Sequence, residues 1–195
     1  MKKQSEKLKR MTQLALLLAL EVVMTFTPIG FLPIPPASIV IMHVPVIIGG
    51  VLLGYGAGAL LGGMFGVLSM VRAVIAPAPG IDFLFNPAAS GNPLGSIVMA
   101  VLPRILLGLT AAALYRLLAK KAPPTLAVGV AAAVASLVHS FGVLSLLAII
   151  FSAFPLVEVL GMIVGVNGLL ELVVGVLLST AICRVLLATK KQQSK

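Results

Sequence analysis

Six apolar stretches, each separated from the next by proline, glycine or charge, set the limits on what this chain can fold into. About 20 helical residues are needed to cross a hydrocarbon core of ~30 Å. Stretches near 11–28, 39–54, 57–76, 95–118, 125–152 and 156–187 supply them. The second is short, which calls for tilt or a partly re-entrant path. With 60% hydrophobic and 10% charged residues, no tryptophan and a mean hydropathy of +1.19, the chain cannot cover a water-soluble surface. The expected fold class is therefore an all-α integral membrane protein, with residues 1–195 forming a single six-helix domain.

The charges orient that ladder. Lys2, Lys3, Lys7, Lys9 and Arg10 precede the first stretch; Arg116, Lys120 and Lys121 follow the fourth; Arg184, Lys190, Lys191 and Lys195 follow the sixth. Loops rich in Lys and Arg stay in the cytoplasm, so an even number of spans places both basic termini (1–10 and 188–195) inside. The formal net charge of +9 is thus a topology signal rather than a nucleic-acid-binding face. Thr25-Phe26-Thr27-Pro28 is no small-x-small cleavage site, so the first stretch reads as an uncleaved span. A single cysteine, Cys183, permits neither a disulfide within the chain nor a thiolate metal cluster, and no cofactor motif is present.

Two outer connections are proline-dense yet apolar. Residues 28–38 hold four prolines among Phe, Leu and Ile, and residues 77–94 hold four prolines with Asp82, Asn86 and Asn92. Such segments cannot be helix interior. They either pack down over a pocket or rest on the lipid interface. Small residues recur at helical spacing elsewhere: Ala15 and Ala19 on the first span, Gly58, Gly62 and Gly66 on the third, Gly161, Gly168 and Gly175 on the sixth. In lipid such stripes let helix backbones approach closely. The glycine stripes point to packing within the chain. The alanine pair is open between that and a partner surface.

Ionisable groups at membrane depth are costly and mark pathways or sites. At 1.5 Å per residue, Arg104 lies roughly 13 Å below the outer end of span four. His139 and Asn167 fall in the same outer layer, with Ser136 and Ser140 on the face of His139, and Glu171 one turn below Asn167. Arg104 has two readings, an ion pair with Glu21 or Glu171, or a site for an anionic ligand. His139 is equally a structural histidine or a ligand contact. Arg72 either snorkels to the interface or meets substrate, and His43, ahead of Pro45, is similarly open. No P-loop pattern occurs, so the chain does not hydrolyse nucleotide in that way. An intramembrane serine protease pairing Ser90 with His139, and a self-sufficient secondary transporter, are the weaker alternatives; the first lacks a complete motif and the second an inverted repeat.

Several segments, in order, are similar to one family. Thr27-Pro28-Ile29-Gly30-Phe31 with Ile34-Pro35, then Ile41-Met42-His43-Val44-Pro45-Val46-Ile47-Ile48-Gly49, resemble the first two spans of substrate-binding components of energy-coupling-factor (ECF) vitamin transporters. Asn86-Pro87, Leu102-Pro103-Arg104-Ile105-Leu106-Leu107-Gly108 and Asn167-Gly168-x-x-Glu171 continue the resemblance, with pantothenate-specific members the most similar type. It implies six helices, a vitamin bound from outside, and delivery by toppling within a complex of a transmembrane scaffold and two cytoplasmic ATPases. The chain itself is then no enzyme, and its place is the bacterial cell membrane. A precursor or another small vitamin is the alternative ligand. The resemblance also implies that Ala15 and Ala19 meet the scaffold. Arg104, Asn167, His139, Ser136, Glu171, Arg72, His43 and Asn86 are the expected substrate contacts. One stretch, Ser90-Gly91-Asn92-Pro93-Leu94-Gly95, is longer than the family pattern.

Overall fold

The computed structural model describes residues 2–32, 39–76, 82–152 and 165–192. Six helices account for nearly all of them: α1 (Lys2–Thr25), α2 (His43–Leu53), α3 (Tyr55–Ile75), α4 (Pro93–Leu118), α5 (Pro124–Phe151) and α6 (Val166–Gln192). Four stretches are long and apolar enough to cross a membrane: α3, α4, α5 and Gly168–Thr189 within α6. The helix α2 falls short of that length at 11 residues, and α1 carries five basic residues in its first ten positions. Pro33 to Ser38, Glu158, Gly161 and the expected start of the last span at 156 lie outside the described residues.

The one departure from an all-helical layout precedes α2. A strand β1 (Phe31–Leu32) pairs antiparallel with β2 (Ile39–Val40), Phe31 opposite Val40 and Leu32 opposite Ile39. The expected helix start at 39 is therefore four residues early, and Pro45 explains why. Proline costs a helix no hydrogen bond only in its first turn, where backbone N–H groups lack intrahelical partners. Beginning at His43 places Pro45 in that turn. The same rule sets Pro93 and Pro124 at the starts of α4 and α5.

Packing follows the glycine stripes. The helix α3 lies on α4, α4 on α5 and α5 on α6, while α2 is wedged among α3, α4 and α6 with every residue from His43 to Val51 buried. A β-carbon at Gly58 would meet the Gly108 carbonyl 2.5 Å away, one at Gly62 would overlap the Arg104 carbonyl, and one at Gly66 would reach the Ala100 carbonyl at 2.7 Å. The stripe on α3 is thus an intramolecular contact that brings two backbones together along about two turns. Gly54 makes the corner between α2 and α3 alone, with φ +86°, a conformation that a side chain would strain.

Arginines hold the helix ends. Arg10 Nη2 donates to the Leu53 carbonyl at 2.6 Å, and the Arg116 guanidinium stacks 4.8 Å from the Tyr55 ring. The start of α1, the α2–α3 corner and the end of α4 therefore share one end of the bundle. At the opposite end, Arg72 Nη1 donates to the Thr25 carbonyl at 3.1 Å, capping the last turn of α1.

Candidate functional site

Leu102-Pro103-Arg104 shapes the centre of α4. Pro103 has no N–H, so the Met99 carbonyl loses its usual helical donor. The Arg104 side chain folds back over this gap, as side chains tilted toward the helix N-terminus do. Its Nη1 donates to the Ala100 carbonyl at 2.6 Å and approaches the Met99 carbonyl at 3.5 Å. Ala100 sits one turn before Arg104 and is small enough to let the side chain pass. Arg104 is only 4% exposed, and its guanidinium lies over two rings, Phe65 of α3 at 4.5 Å and Phe85 of the connection between α3 and α4 at 5.2 Å. Such cation–π contacts are worth about 0.5–2 kcal/mol, more when desolvated. Arg104 forms no ion pair with Glu21 or Glu171 among the described residues, and its Nε has no hydrogen-bond partner there.

Phe65 also faces the other side of the site. Its ring lies 5.8 Å from the His139 imidazole at an interplanar angle of 39°. His139 and Ser136, one helical turn apart on α5, are both buried, and His139 Nε2 and Ser136 Oγ have no hydrogen-bond partner among the described residues. A guanidinium and an imidazole thus meet one aromatic ring, and the Ser136 hydroxyl lies one turn from the imidazole on the same helix. Burial of such groups is favourable only when they are hydrogen-bonded, so their convergence marks a place built for a polar guest.

Glu171 and His43 belong to an adjoining corner. The Val40 N–H donates to Glu171 Oε2 at 3.4 Å, and Glu171 Oε1 is 3.8 Å from His43 Nδ1. His43 Nδ1 lies 2.6 Å from the Val40 carbonyl, which can only accept, so the ring carries its proton on Nδ1 in this arrangement. The far edge of the imidazole rests on Gly175, where a β-carbon would overlap Nε2. Gly175, expected to serve close packing, admits His43 rather than another backbone. This corner ties the strand β2 and the start of α2 to α6.

Other expected contacts are placed differently. Arg72 sits in the last turn of α3, engaged with the end of α1. Asn86 Oδ1 accepts the Ala88 N–H at 2.9 Å in a side-chain turn. Asn167 lies in the first turn of α6, its side chain outside the described atoms. Ser90 Oγ contacts the Asn92 N–H and Ser96 Oγ, so no Ser90–His139 pair exists and the protease alternative loses its nucleophile. Ala15 and Ala19 are exposed on α1. Sequence reasoning missed Phe65 and Phe85. A usable signal for Phe65 was its place between Gly62 and Gly66, where α3 must pass closest to the Arg104 turn.

Comparison with known proteins accords with this geometry. A family model described as "ECF transporter, substrate-specific component" matches residues 9–189. A curated relative, the pantothenic acid transporter PanT of Lactococcus lactis subsp. cremoris (strain MG1363), is 35% identical over 156 residues, covering 75% of this chain and 76% of that protein. The match runs through all six helices, and on that ground this chain belongs to the family of ECF transporter substrate-specific components.

Proposed function

We propose that this chain is the substrate-binding subunit of an ECF importer, that it spans the cell membrane six times with both termini cytoplasmic, and that it binds pantothenate from outside. Uptake is driven by two ATPase subunits through a transmembrane scaffold, which Ala15 and Ala19 contact. The shared bundle end of Arg10, the α2–α3 corner and Arg116 supports the topology, since all three belong on the cytoplasmic side of a six-span ladder. The relative named for pantothenic acid supports the ligand.

The observation that carries the reading is the half-engaged guanidinium of Arg104. One nitrogen is fixed on Ala100, Phe65 and Phe85 both present their rings to the guanidinium, and Nε is buried without a hydrogen-bond partner among the described residues. A carboxylate fits such a guanidinium with paired, charge-assisted hydrogen bonds. Pantothenate adds an amide and two hydroxyls, which His139, Ser136 and Asn167 serve. Glu171 and His43 act on the site by holding the β2–α2 corner, and Arg72 and Asn86 by holding its rim. Calorimetry of the purified protein against a vitamin panel tests this. Pantothenate should bind tightly and the others weakly. Arg104→Ala should weaken binding by about 30-fold or more, the usual cost of removing one partner of a buried charge pair. Equal affinity of Arg104→Ala and wild type would sink the reading.

A further inference from the structure

The stretch Ser90–Gly95 has no part in the site described so far. It builds a directional hydrogen-bond relay. Gly91 turns the chain with φ +74° and open space around its α-carbon, so glycine is needed there for conformation and not for room. That turn brings the Asn92 N–H to within 3.2 Å of Ser90 Oγ. Ser90 and Ser96 hydroxyls are 2.7 Å apart, and Ser96 Oγ donates to the Leu84 carbonyl at 2.6 Å. Since Ser96 has one hydrogen and gives it to Leu84, Ser90 must donate to Ser96. Each bond in the sequence Asn92, Ser90, Ser96, Leu84 polarises the next in the same sense.

The end of the relay is the short 3-10 turn Asp82–Phe85, whose Leu84 is buried with Met99 of α4 and Leu147 of α5. Phe85 follows Leu84 directly and stacks on Arg104. Ser96, Ala100 and Arg104 are spaced four apart on one face of α4, so the anchor of the turn and the guanidinium are both referenced to a single helix. Ser96 is wholly buried, and its hydroxyl touches nothing in the site itself.

We propose that Ser90 and Ser96 are positioning residues: their relay sets Phe85 on the Arg104 guanidinium and thereby tunes how the site discriminates an anionic ligand from its neutral counterpart. The second half of this statement rests on the carboxylate reading of Arg104; the first half does not. The test has two arms on the full chain in detergent. In the first, 4-fluorophenylalanine at position 85 is followed by fluorine NMR without ligand. Ser96→Ala should shift or broaden the resonance, and Ser96→Thr, which keeps the hydroxyl, should restore it toward wild type. An unmoved resonance overturns the proposal whatever binds.

The second arm measures binding of pantothenate and of its alcohol analogue panthenol. Ser96→Ala should weaken pantothenate by about fivefold to tenfold, the size of one lost buried hydrogen bond, and panthenol by less than about twofold. Phe85→Leu should do the same, and the double variant should be no worse than either single, because both act through one contact. Equal losses for both ligands, or additive losses, overturn the discrimination role and reduce the relay to fold stability. If wild type binds neither ligand, the vitamin reading fails, while the fluorine signal still upholds or overturns the positioning of Phe85.

Discussion

Gly62→Ala offers the sharpest test of how this site is assembled. A β-carbon there overlaps the Arg104 carbonyl and lies 2.6 Å from its carbonyl carbon and 2.9 Å from the Ile105 nitrogen. All three are backbone atoms of α4, so no flexible side chain can move aside. Restoring ordinary contact requires α3 and α4 to separate by about 1 Å along their tightest seam. Overpacking of that kind costs about 1–3 kcal/mol. It also carries Phe65, three residues along α3, away from a guanidinium it now meets at 4.5 Å. Losing part of that cation–π contact adds about 0.5–1 kcal/mol to the loss of ligand affinity, or about twofold to fivefold in Kd. The neighbouring substitution is an internal control. A β-carbon at Gly63 would meet only Ile105 side-chain atoms, at 3.9 and 4.0 Å, which is ordinary van der Waals contact. Gly63→Ala should therefore leave both properties near wild type. Thermal unfolding in detergent and calorimetry with pantothenate read the two effects. If Gly62→Ala and Gly63→Ala behave alike, the close α3–α4 seam is not what holds Phe65 on Arg104.

Two further outcomes are expected. Glu171→Ala should free the Val40 N–H and speed ligand release several-fold, while Glu171→Gln, whose amide oxygen still accepts that bond, should release ligand at close to the wild-type rate; stopped-flow dissociation distinguishes them. Ala15→Trp should leave ligand affinity unchanged in the isolated chain but abolish uptake by the complete transporter in proteoliposomes, because Ala15 is exposed on α1 and touches no part of the site; weakened binding by the isolated chain would refute it.

The helices were legible because hydropathy, proline and charge all report on the same physical boundary, that between lipid and water. Arg104, His139 and Asn167 could be assigned to a common layer because depth along a helix is a matter of counting, and Ser136 to the face of His139 because it lies one turn away. Which groups lie side by side around the helix axes was not. Phe65 sits in an apolar helix where any aromatic residue is unremarkable by composition. Its role comes from the glycine stripe that draws α3 against the Arg104 turn, a relation between two segments some 40 residues apart in the chain. Glu171 shows what spacing along one helix leaves out. Its spacing from Asn167 suggested a shared ligand face, yet its carboxylate holds the backbone of β2, a strand of two residues that no periodicity announces.

These observations bear on how a buried arginine is tolerated here. A guanidinium in a membrane interior ordinarily requires a carboxylate partner. Arg104 instead has the Ala100 carbonyl, the Met99 carbonyl that Pro103 releases and two aromatic rings as its direct contacts, with Glu171 and Asp82 acting on it only through space. A fixed carboxylate partner would compete with an anionic ligand for the same nitrogens, whereas carbonyls and π-faces leave one edge available. Glu171, the carboxylate most able to pair with it, is drawn off by Val40 and His43. The proline, the two phenylalanines and the glutamate–histidine corner therefore serve one end. They keep a positive charge in place, dry and incompletely satisfied, which is the state that the proposed carboxylate contact requires.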